Sequence, residues 1–487
     1  MKRFDAAFLA LSWVIMAFSF AFWVPMAWDF FGEAHGKDTK VWLWSFAFTF
    51  TTGLWLWERT RRAARELSVR DGFLLVTLVW VVLPAYACIP FLFKVEGIDF
   101  TNAYFEAMSG LTGTGATSLA GLDLLPLSVN IWRCFMQLIG GLGIMLLAVA
   151  VLPFLGLGGM QLYKAEMPGP MKDTRLTPRI AETARGLWSV YFSLSLVCFF
   201  AYRLGGMSWA DAFMHMCTTV GLGGLSSHDQ SFAYWNSPTL EWLAILFMLL
   251  SGISFARYFV LWRQRSVGIL TRDAEVRAYI AVMGTCILIT HFVLQSTETI
   301  VSPGEAFRTA AFQVVSVATT TGFTTVDYAL WPSFLPVLLL LLGSFVSCAG
   351  STGGGIKMIR MLVLVQVARR ELARILHPRA VLPLNLGNRP VPEDVVWAVM
   401  AFMLIYCSTI VLLALVLLAS GLDMVTAFTA VLGMVSNVGP GLGQVGPAGN
   451  FSVLNDFQIW VCSLGMLLGR LEMMSVLVLF TPRFWRR

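Results

Sequence analysis

The chain has 487 residues, of which 57% are hydrophobic and only 13% are charged. Soluble domains carry roughly a quarter charged residues, so this composition excludes a water-soluble globular protein. Apolar stretches of about 20 residues, the length that crosses a bilayer core, recur from end to end. They are too continuous for the strands of a membrane barrel, and helices satisfy their own backbone groups in lipid. The sequence therefore predicts an all-α integral membrane protein.

The net charge of +6 indicates membrane topology and gives no sign of a nucleic-acid partner. Basic residues are concentrated in alternate connections between the apolar segments, which is the positive-inside pattern. The basic positions are Arg59, Arg61, Arg62, Arg65 and Arg70; Lys164, Lys172, Arg175, Arg179 and Arg185; Arg263, Arg265, Arg272 and Arg277; Arg369, Arg370, Arg374, Arg379 and Arg389; and Arg483, Arg486 and Arg487. We therefore expect both termini in the cytoplasm.

The apolar segments form one hairpin and four similar units. Each unit contains an outer span, a short segment that cannot cross the bilayer, and a returning span. The predicted divisions are an N-terminal two-helix hairpin at 1–71 and pore units at 72–157, 158–263, 264–370 and 371–487. Ten spans and four re-entrant segments are expected, in a pseudo-fourfold arrangement around one pore.

The four short segments align without gaps on Gly115, Gly224, Gly322 and Gly439. An alanine stands twelve positions before each glycine, at Ala103, Ala212, Ala310 and Ala427. About a dozen helical residues, at about 1.5 Å of rise each, reach only halfway through a bilayer. Each segment must therefore enter and leave the membrane on the same side, as a re-entrant pore loop does.

The stretch around each glycine suits a cation filter. Backbone carbonyls can replace the water around an ion, and glycine permits the backbone conformations that this requires. The preceding half-helix also directs the negative end of its dipole toward the pore. The predicted filter residues are Thr112, Gly113, Thr114 and Gly115; Val220, Gly221, Leu222, Gly223 and Gly224; Thr319, Thr320, Thr321 and Gly322; and Asn437, Val438 and Gly439. Glycines that only pack helices are the alternative, which the fourfold recurrence disfavours.

At these motifs the sequence resembles the Trk/Ktr/HKT superfamily of potassium transporters, and within it the bacterial TrkH-type membrane subunits. The matching segments are GATS at Gly115, GGLSSHD around Gly224, TTTGFTT at Thr319–Thr325 and GRLEMMSVLVLFTPRFWR near the end. The resemblance covers nearly the whole chain, including the hairpin that Ktr-type subunits lack. Glycine at all four filter positions accompanies potassium selectivity in that family. The resemblance therefore implies potassium ions held by the filter carbonyls.

The resemblance also implies partners and a location. It suggests a homodimer in the lipid of the bacterial inner membrane, regulated by a cytosolic nucleotide-binding ring of the TrkA-like kind. The sequence contains no nucleotide motif, no nucleophile–base constellation and no metal-ligand spacing. We therefore expect neither an enzyme nor an organic cofactor in this chain.

The third returning span is interrupted by Gly350, Ser351, Thr352, Gly353, Gly354 and Gly355. Each glycine costs a helix about 1 kcal/mol relative to alanine, so a break is expected here, below the filter. Arg470 lies inside the final span, where a charge must face a partner or water. We expect it to meet the interruption, and the resemblance implies that the two form an intramembrane gate.

Alternatives remain for the gate and its surroundings. The interruption could be a simple kink or a close helix crossing, and Arg470 could belong to a buried ion pair without a role in conduction. Lys357 and Arg360 are expected to extend toward the cytoplasmic interface. Near the outer mouth, the charges of Asp99, Glu106 and Asp123 could concentrate cations or be ordinary solvated loop charges;.

The main functional alternative is a secondary carrier that couples potassium to protons or sodium, since broken helices also bind ions at the membrane midplane. A less selective monovalent-cation transporter is a further alternative. The four repeats share one orientation, whereas carriers commonly have inverted repeats or two halves, so the pattern favours a channel-like pore.

Overall fold

The computed structural model describes residues 4–31, 39–62, 67–150, 176–266, 268–380, 382–387 and 389–486. The predicted end of the first returning span beyond 150 lies outside the described residues, as do the basic residues Arg65, Lys164, Lys172, Arg175 and Arg487. The described chain is almost wholly helical. Its strands are the two-residue pieces Asn385–Leu386 and Arg389–Pro390, which pair antiparallel in the connection between the third and fourth units. The prediction of an all-α membrane protein is confirmed.

The N-terminal hairpin consists of a long helix, interrupted by a short 3-10 turn, and a partner helix. The first element comprises Asp5–Ser19, a short 3-10 turn at Phe20–Phe22, and Trp23–Phe31, and the second is Thr39–Thr60. Buried aromatic side chains join the hairpin to the first unit, since the rings of Phe22 and Trp132 lie 4.7 Å apart.

Each of the four units contains an outer helix, a short pore helix and a returning helix. The outer helices are Val69–Ala87, continued by Ile89–Lys94, then Leu176–Leu204, Ala274–Ser296 and Glu393–Ala419. The pore helices are Phe100–Thr112, Trp209–Val220, Pro303–Ala318 and Met424–Ser436. The returning helices are Leu127–Ala150, Pro238–Ser251 with Phe255–Gln264, Phe334–Phe345 with Met358–Leu376, and Asp456–Arg470 with Met474–Leu477 and Val478–Phe480. Short helices at Gly268–Thr271 and Pro482–Trp485 complete the described helices, apart from 3-10 turns in the loops. The exact unit boundaries remain a prediction.

Two returning helices that the sequence predicts as continuous are bent. The second turns by 84° between Ser251 and Phe255, and the fourth turns by 104° after Arg470. The fourth bend arises because Glu472 and Met473 both have positive φ, which a helix cannot accommodate;. Apolar composition alone carries no signal of either bend.

Fewer helices than the ten expected spans meet a criterion of length and apolar composition for crossing a membrane. Six described helices are long and apolar enough to cross a membrane, or eight if each bent pair is one span. The helix Thr39–Thr60 has the length of a span but contains several polar side chains. The third returning span is divided at the predicted interruption into Phe334–Phe345 and Met358–Leu376, so neither half meets the criterion.

Three of the four pore helices begin at side-chain caps, and all four bury the aligned alanines. Asp99, Ser208 and Asp423 each accept a hydrogen bond from the backbone amide three residues later. Such caps satisfy amides that have no partner in the first helical turn. Ala103, Ala212, Ala310 and Ala427 are all fully buried. A larger side chain at these positions would force the pore helices away from their neighbours.

Removing the lysine that fastens the hairpin to the first unit should destabilise the protein. Lys94 Nζ lies 2.5 Å from Asp29 Oδ2 with both side chains nearly inaccessible, and Trp42 Nε1 donates to the same oxygen at 2.7 Å. Lys94→Met would leave the Asp29 carboxylate without its cation, at a cost of about 3–5 kcal/mol. Thermal unfolding in detergent should show a lowered midpoint, whereas Lys40→Met, at an exposed lysine of the same hairpin, should leave it unchanged.

Candidate ion-conduction site

The four aligned glycines form a closed ring of backbone contacts. A β-carbon added to each one would collide with a carbonyl oxygen of the next loop, and that oxygen belongs to the residue just before the next glycine. The pairs, with the distance from the added β-carbon to the oxygen, are Gly115 with Gly223 (1.9 Å), Gly224 with Thr321 (1.9 Å), Gly322 with Val438 (2.3 Å) and Gly439 with Thr114 (2.7 Å). The series returns to its starting loop, so the four loops surround one axis.

The backbone of each loop alternates in a way that explains the glycines. All four ring glycines have φ between +76° and +94°, a region that side chains disfavour;. The residue two positions earlier is also left-handed in every loop, with φ values of 65° at Gly113, 51° at Leu222, 64° at Thr320 and 53° at Asn437. The residue between them is not. Three non-glycine residues therefore carry local strain, which the surrounding contacts must offset.

All sixteen predicted filter residues lie together at this ring. Thirteen are buried, and Gly115, Gly224 and Gly322 are partly exposed. These three glycines and Pro440 line one open cavity, to which all four loops contribute. The ring thus has an accessible mouth on one side and the ends of the pore helices behind it.

A buried ion pair links the first loop to the second loop. Arg133 Nε lies 3.2 Å from Glu106 Oε2, and neither side chain is accessible. Glu106 Oε1 accepts hydrogen bonds from Thr117 Oγ1 at 2.5 Å and from the amide of Ser118 at 2.6 Å. Arg133 NH1 donates to the carbonyl oxygen of Ser226 in the second loop at 3.1 Å. Glu106 is therefore neither a cation-attracting charge at the mouth nor a solvated loop charge.

Sequence reasoning missed Arg133, although an arginine within an apolar span was a usable signal. The other two outer acidic residues also have local partners. Asp99 caps the first pore helix through the amide of Asn102, and Asp123 pairs with His228 beside the mouth. The expectation that these charges concentrate cations remains untested.

The interruption of the third returning span lies directly against the inner side of the ring. Thr352 Oγ1 donates to the carbonyl oxygen of Val220 at 2.9 Å, and the amide of Gly354 donates to Thr320 Oγ1 at 2.8 Å. A β-carbon on Gly354 would lie 2.2 Å from the carbonyl oxygen of Ser436. The predicted gate segment therefore touches the second, third and fourth loops.

Arg470 connects this segment to the first unit. Its NH1 donates to the carbonyl oxygen of Thr352 at 3.0 Å and its NH2 to that of Gly140 at 3.1 Å, and the side chain is 3% exposed. The NH2 group also lies 3.6 Å from the β-carbon position of Gly113. Arg470 meets the interruption as expected, through carbonyl oxygens. Together the two features contact all four filter loops.

The charges that follow the interruption have partners within the protein. Arg360 is 3% exposed, pairs with Glu472, and lies 4.0 Å from the centre of the Phe402 ring. Lys357 Nζ donates back to the carbonyl oxygen of Gly353. Glu472, the partner of Arg360, comes from a distant part of the chain, whereas Lys357 turns back to a carbonyl oxygen four residues earlier.

Neutralising one member of the Glu106–Arg133 pair should cost more than neutralising both. Glu106→Gln would leave the Arg133 charge buried without its partner, and we expect a loss of about 3–5 kcal/mol in stability. The double variant Glu106→Gln with Arg133→Gln should lose less than the sum of the single variants. Unfolding in detergent measures all three. Additive losses would contradict a direct interaction.

The ring glycines should tolerate no side chain. Gly224→Ala places a methyl group on a carbonyl oxygen, so rubidium flux into proteoliposomes should be lost. Gly421→Ala is a matched control, because Gly421 has φ +97° but no atom within 4 Å of its β-carbon position. Gly421→Ala should lower the stability only by the strain of a left-handed alanine, about 1–2 kcal/mol, and should retain rubidium flux. Equal loss in both variants would mean that strain, not the ring contact, is responsible.

Comparison with known proteins agrees with the predicted resemblance. Residues 39–487 match the TrkH family, described as cation transport proteins. The Trk system potassium uptake protein TrkH of Escherichia coli strain K12 is 45% identical over 443 residues, which cover 91% of each chain. The Trk system potassium uptake protein TrkG of the same organism is 38% identical, with 92% of each chain covered.

A solved structure is similar over the full length. The crystal structure of the potassium transporter TrkH from Vibrio parahaemolyticus matches with a TM-score of 0.92 at 39% identity, covering 99% of this chain and 100% of that one. The chain is therefore a multi-pass membrane protein and belongs to the TrkH family of cation transport proteins.

Proposed function

We propose that this protein takes up potassium across the bacterial inner membrane through a channel-like pore with a backbone-carbonyl filter. The closed ring formed by the four glycines and the adjacent carbonyl oxygens carries this proposal. Only an ion that exchanges its water for carbonyl oxygens fits a passage made of backbone. The relatives named potassium uptake proteins and the potassium transporter of known structure support potassium as that ion.

The gate consists of Gly350–Gly355 and Arg470. This segment lies on the inner side of three filter loops, and Arg470 completes the fourth side with a buried positive charge. A cation that leaves the filter inward meets this charge at once. Opening therefore requires the segment and the arginine to move away from the axis.

The complete system contains more than this chain. The expected partners are a second copy of the membrane subunit, the surrounding lipid, and a cytosolic nucleotide-binding ring of the TrkA-like kind. The words "Trk system" in the names of the relatives support a multi-component assembly. Both termini face the cytoplasm in this proposal. The ion held by the filter carbonyls is potassium.

Flux into liposomes tests the proposal. Purified protein in liposomes loaded with potassium should take up tracer rubidium, and unlabelled potassium should compete better than sodium. Proton and sodium gradients are then imposed separately. Rubidium uptake that follows the potassium gradient alone supports a channel-like pore, whereas uptake driven by a proton or sodium gradient identifies a symporter. The absence of rubidium uptake in every condition would refute potassium transport.

Removing the arginine should open the pathway. Arg470→Ala deletes both the buried charge and the hydrogen bond to Thr352, and we expect rubidium flux to rise about tenfold or more, as loss of a barrier of about 1.4 kcal/mol implies. Arg470→Lys keeps the charge without the two-carbonyl geometry, so its flux should lie between those of wild type and Arg470→Ala. Unchanged flux in folded Arg470→Ala protein would contradict the gate.

A further inference from the structure

Gln137, on the first returning helix, reaches a carbonyl oxygen of the filter ring. The side chain is fully buried. Its Nε2 donates to the carbonyl oxygen of Gly223 at 2.8 Å, and its Oε1 accepts from the amide of Leu225 at 3.2 Å. The Leu225 amide can only donate, so Oε1 must face it and the orientation of the Gln137 amide is fixed.

This bond makes one of the four ring oxygens different from the rest. Within the described part of the chain, the ring oxygens of Thr114, Thr321 and Val438 accept no hydrogen bond from protein, whereas that of Gly223 accepts one from Gln137. The first loop has a contrasting neighbour. There the buried Met466 presents a sulfur that accepts from Thr112 Oγ1 at 3.8 Å. A thioether offers no donor to a carbonyl.

A donor behind a filter carbonyl has two physical consequences. It engages one of the two lone pairs of the oxygen, which weakens the field that this oxygen presents to an ion. It also fills the space behind the loop, since a β-carbon on Gly223 would lie 2.3 Å from Gln137 Cδ. A weaker field and a loop unable to shift both favour a larger cation over a smaller one.

We propose that Gln137 is a positioning residue that sets the discrimination against sodium through the carbonyl group of Gly223. This inference rests on the proposed function, because it concerns the selectivity of the same filter. Arg133 lies one helical turn earlier and holds the carbonyl group of Ser226 in the same loop. The first returning helix therefore bonds the second loop at several levels, of which the Gln137 level belongs to the ring.

Sodium discrimination in liposomes tests the inference directly. Gln137→Met keeps the approximate size and removes the donor, so the ratio of sodium to rubidium flux should rise about fivefold, the factor that one hydrogen bond contributes to an equilibrium. Cys134→Ala is the control, because the hydrogen bond of Cys134 to the second loop goes to the carbonyl oxygen of Leu225, outside the ring. Its ratio should equal that of wild type.

A pH profile separates positioning from simple packing. In Gln137→Glu, a protonated carboxyl can donate to Gly223 and accept from Leu225, whereas an ionised one cannot donate. Sodium discrimination should therefore be near wild type at about pH 5 and should fall toward about pH 9. Wild-type discrimination should vary less over this range.

The outcomes are distinguishable. A folded Gln137→Met protein with an unchanged flux ratio overturns the inference. If that variant does not fold, a Gln137→Glu ratio that stays at the wild-type value across the pH range overturns it instead. Wild-type protein that passes no rubidium refutes the proposed function itself.

Discussion

Four backbone segments meet in this protein through direct contacts between glycines and carbonyl oxygens. Each ring glycine allows a carbonyl oxygen of the next loop to approach to a distance that a β-carbon would forbid. The contact is also cyclic, so each loop is positioned by one neighbour and positions the other. The pore helices, the returning helices and the interrupted span are all arranged around this requirement.

Such a ring cannot be stabilised by its own packing, because left-handed residues such as Leu222 and Thr320 are strained and the mouth is open. Support comes from side chains nine residues before three of the ring glycines. Glu106 accepts from Ser118, His215 bonds Ser226 Oγ at 2.9 Å, and Gln313 lies 3.1 Å from Thr325 Oγ1. Residue 430, the equivalent in the fourth unit, is an alanine, and Thr429 bonds the fourth loop there instead. In a low-dielectric interior these satisfied polar groups fix the loops firmly.

The proposed gate segment, Gly350–Gly355, forms similar contacts on the opposite side of the ring. Its glycines let the backbone reach the pore-helix ends, as Gly354 does against Ser436, and its threonine and amide groups bond filter oxygens. Within the described residues, two charged groups donate to the segment: Arg470 to the carbonyl oxygen of Thr352 and Lys357 to that of Gly353. A conformational change that moves Arg470 therefore removes a hydrogen bond that is stronger than the neutral bonds of the segment, since bonds from a charged donor exceed neutral ones.

The sequence by itself determined the membrane class, the four re-entrant segments, the ring glycines and the interrupted span. These properties follow from local requirements: hydrophobic length, helices too short to cross, and backbone angles that only glycine adopts freely. The tertiary structure decided which carbonyl oxygen opposes which glycine, the pairing of Glu106 with Arg133, and the reach of Gln137 to the second loop. It also decided the bends of the second and fourth returning helices, which the sequence predicted as continuous. Those features depend on partners from distant parts of the chain, and hydrophobic periodicity contains no information about which partner a buried polar group will meet.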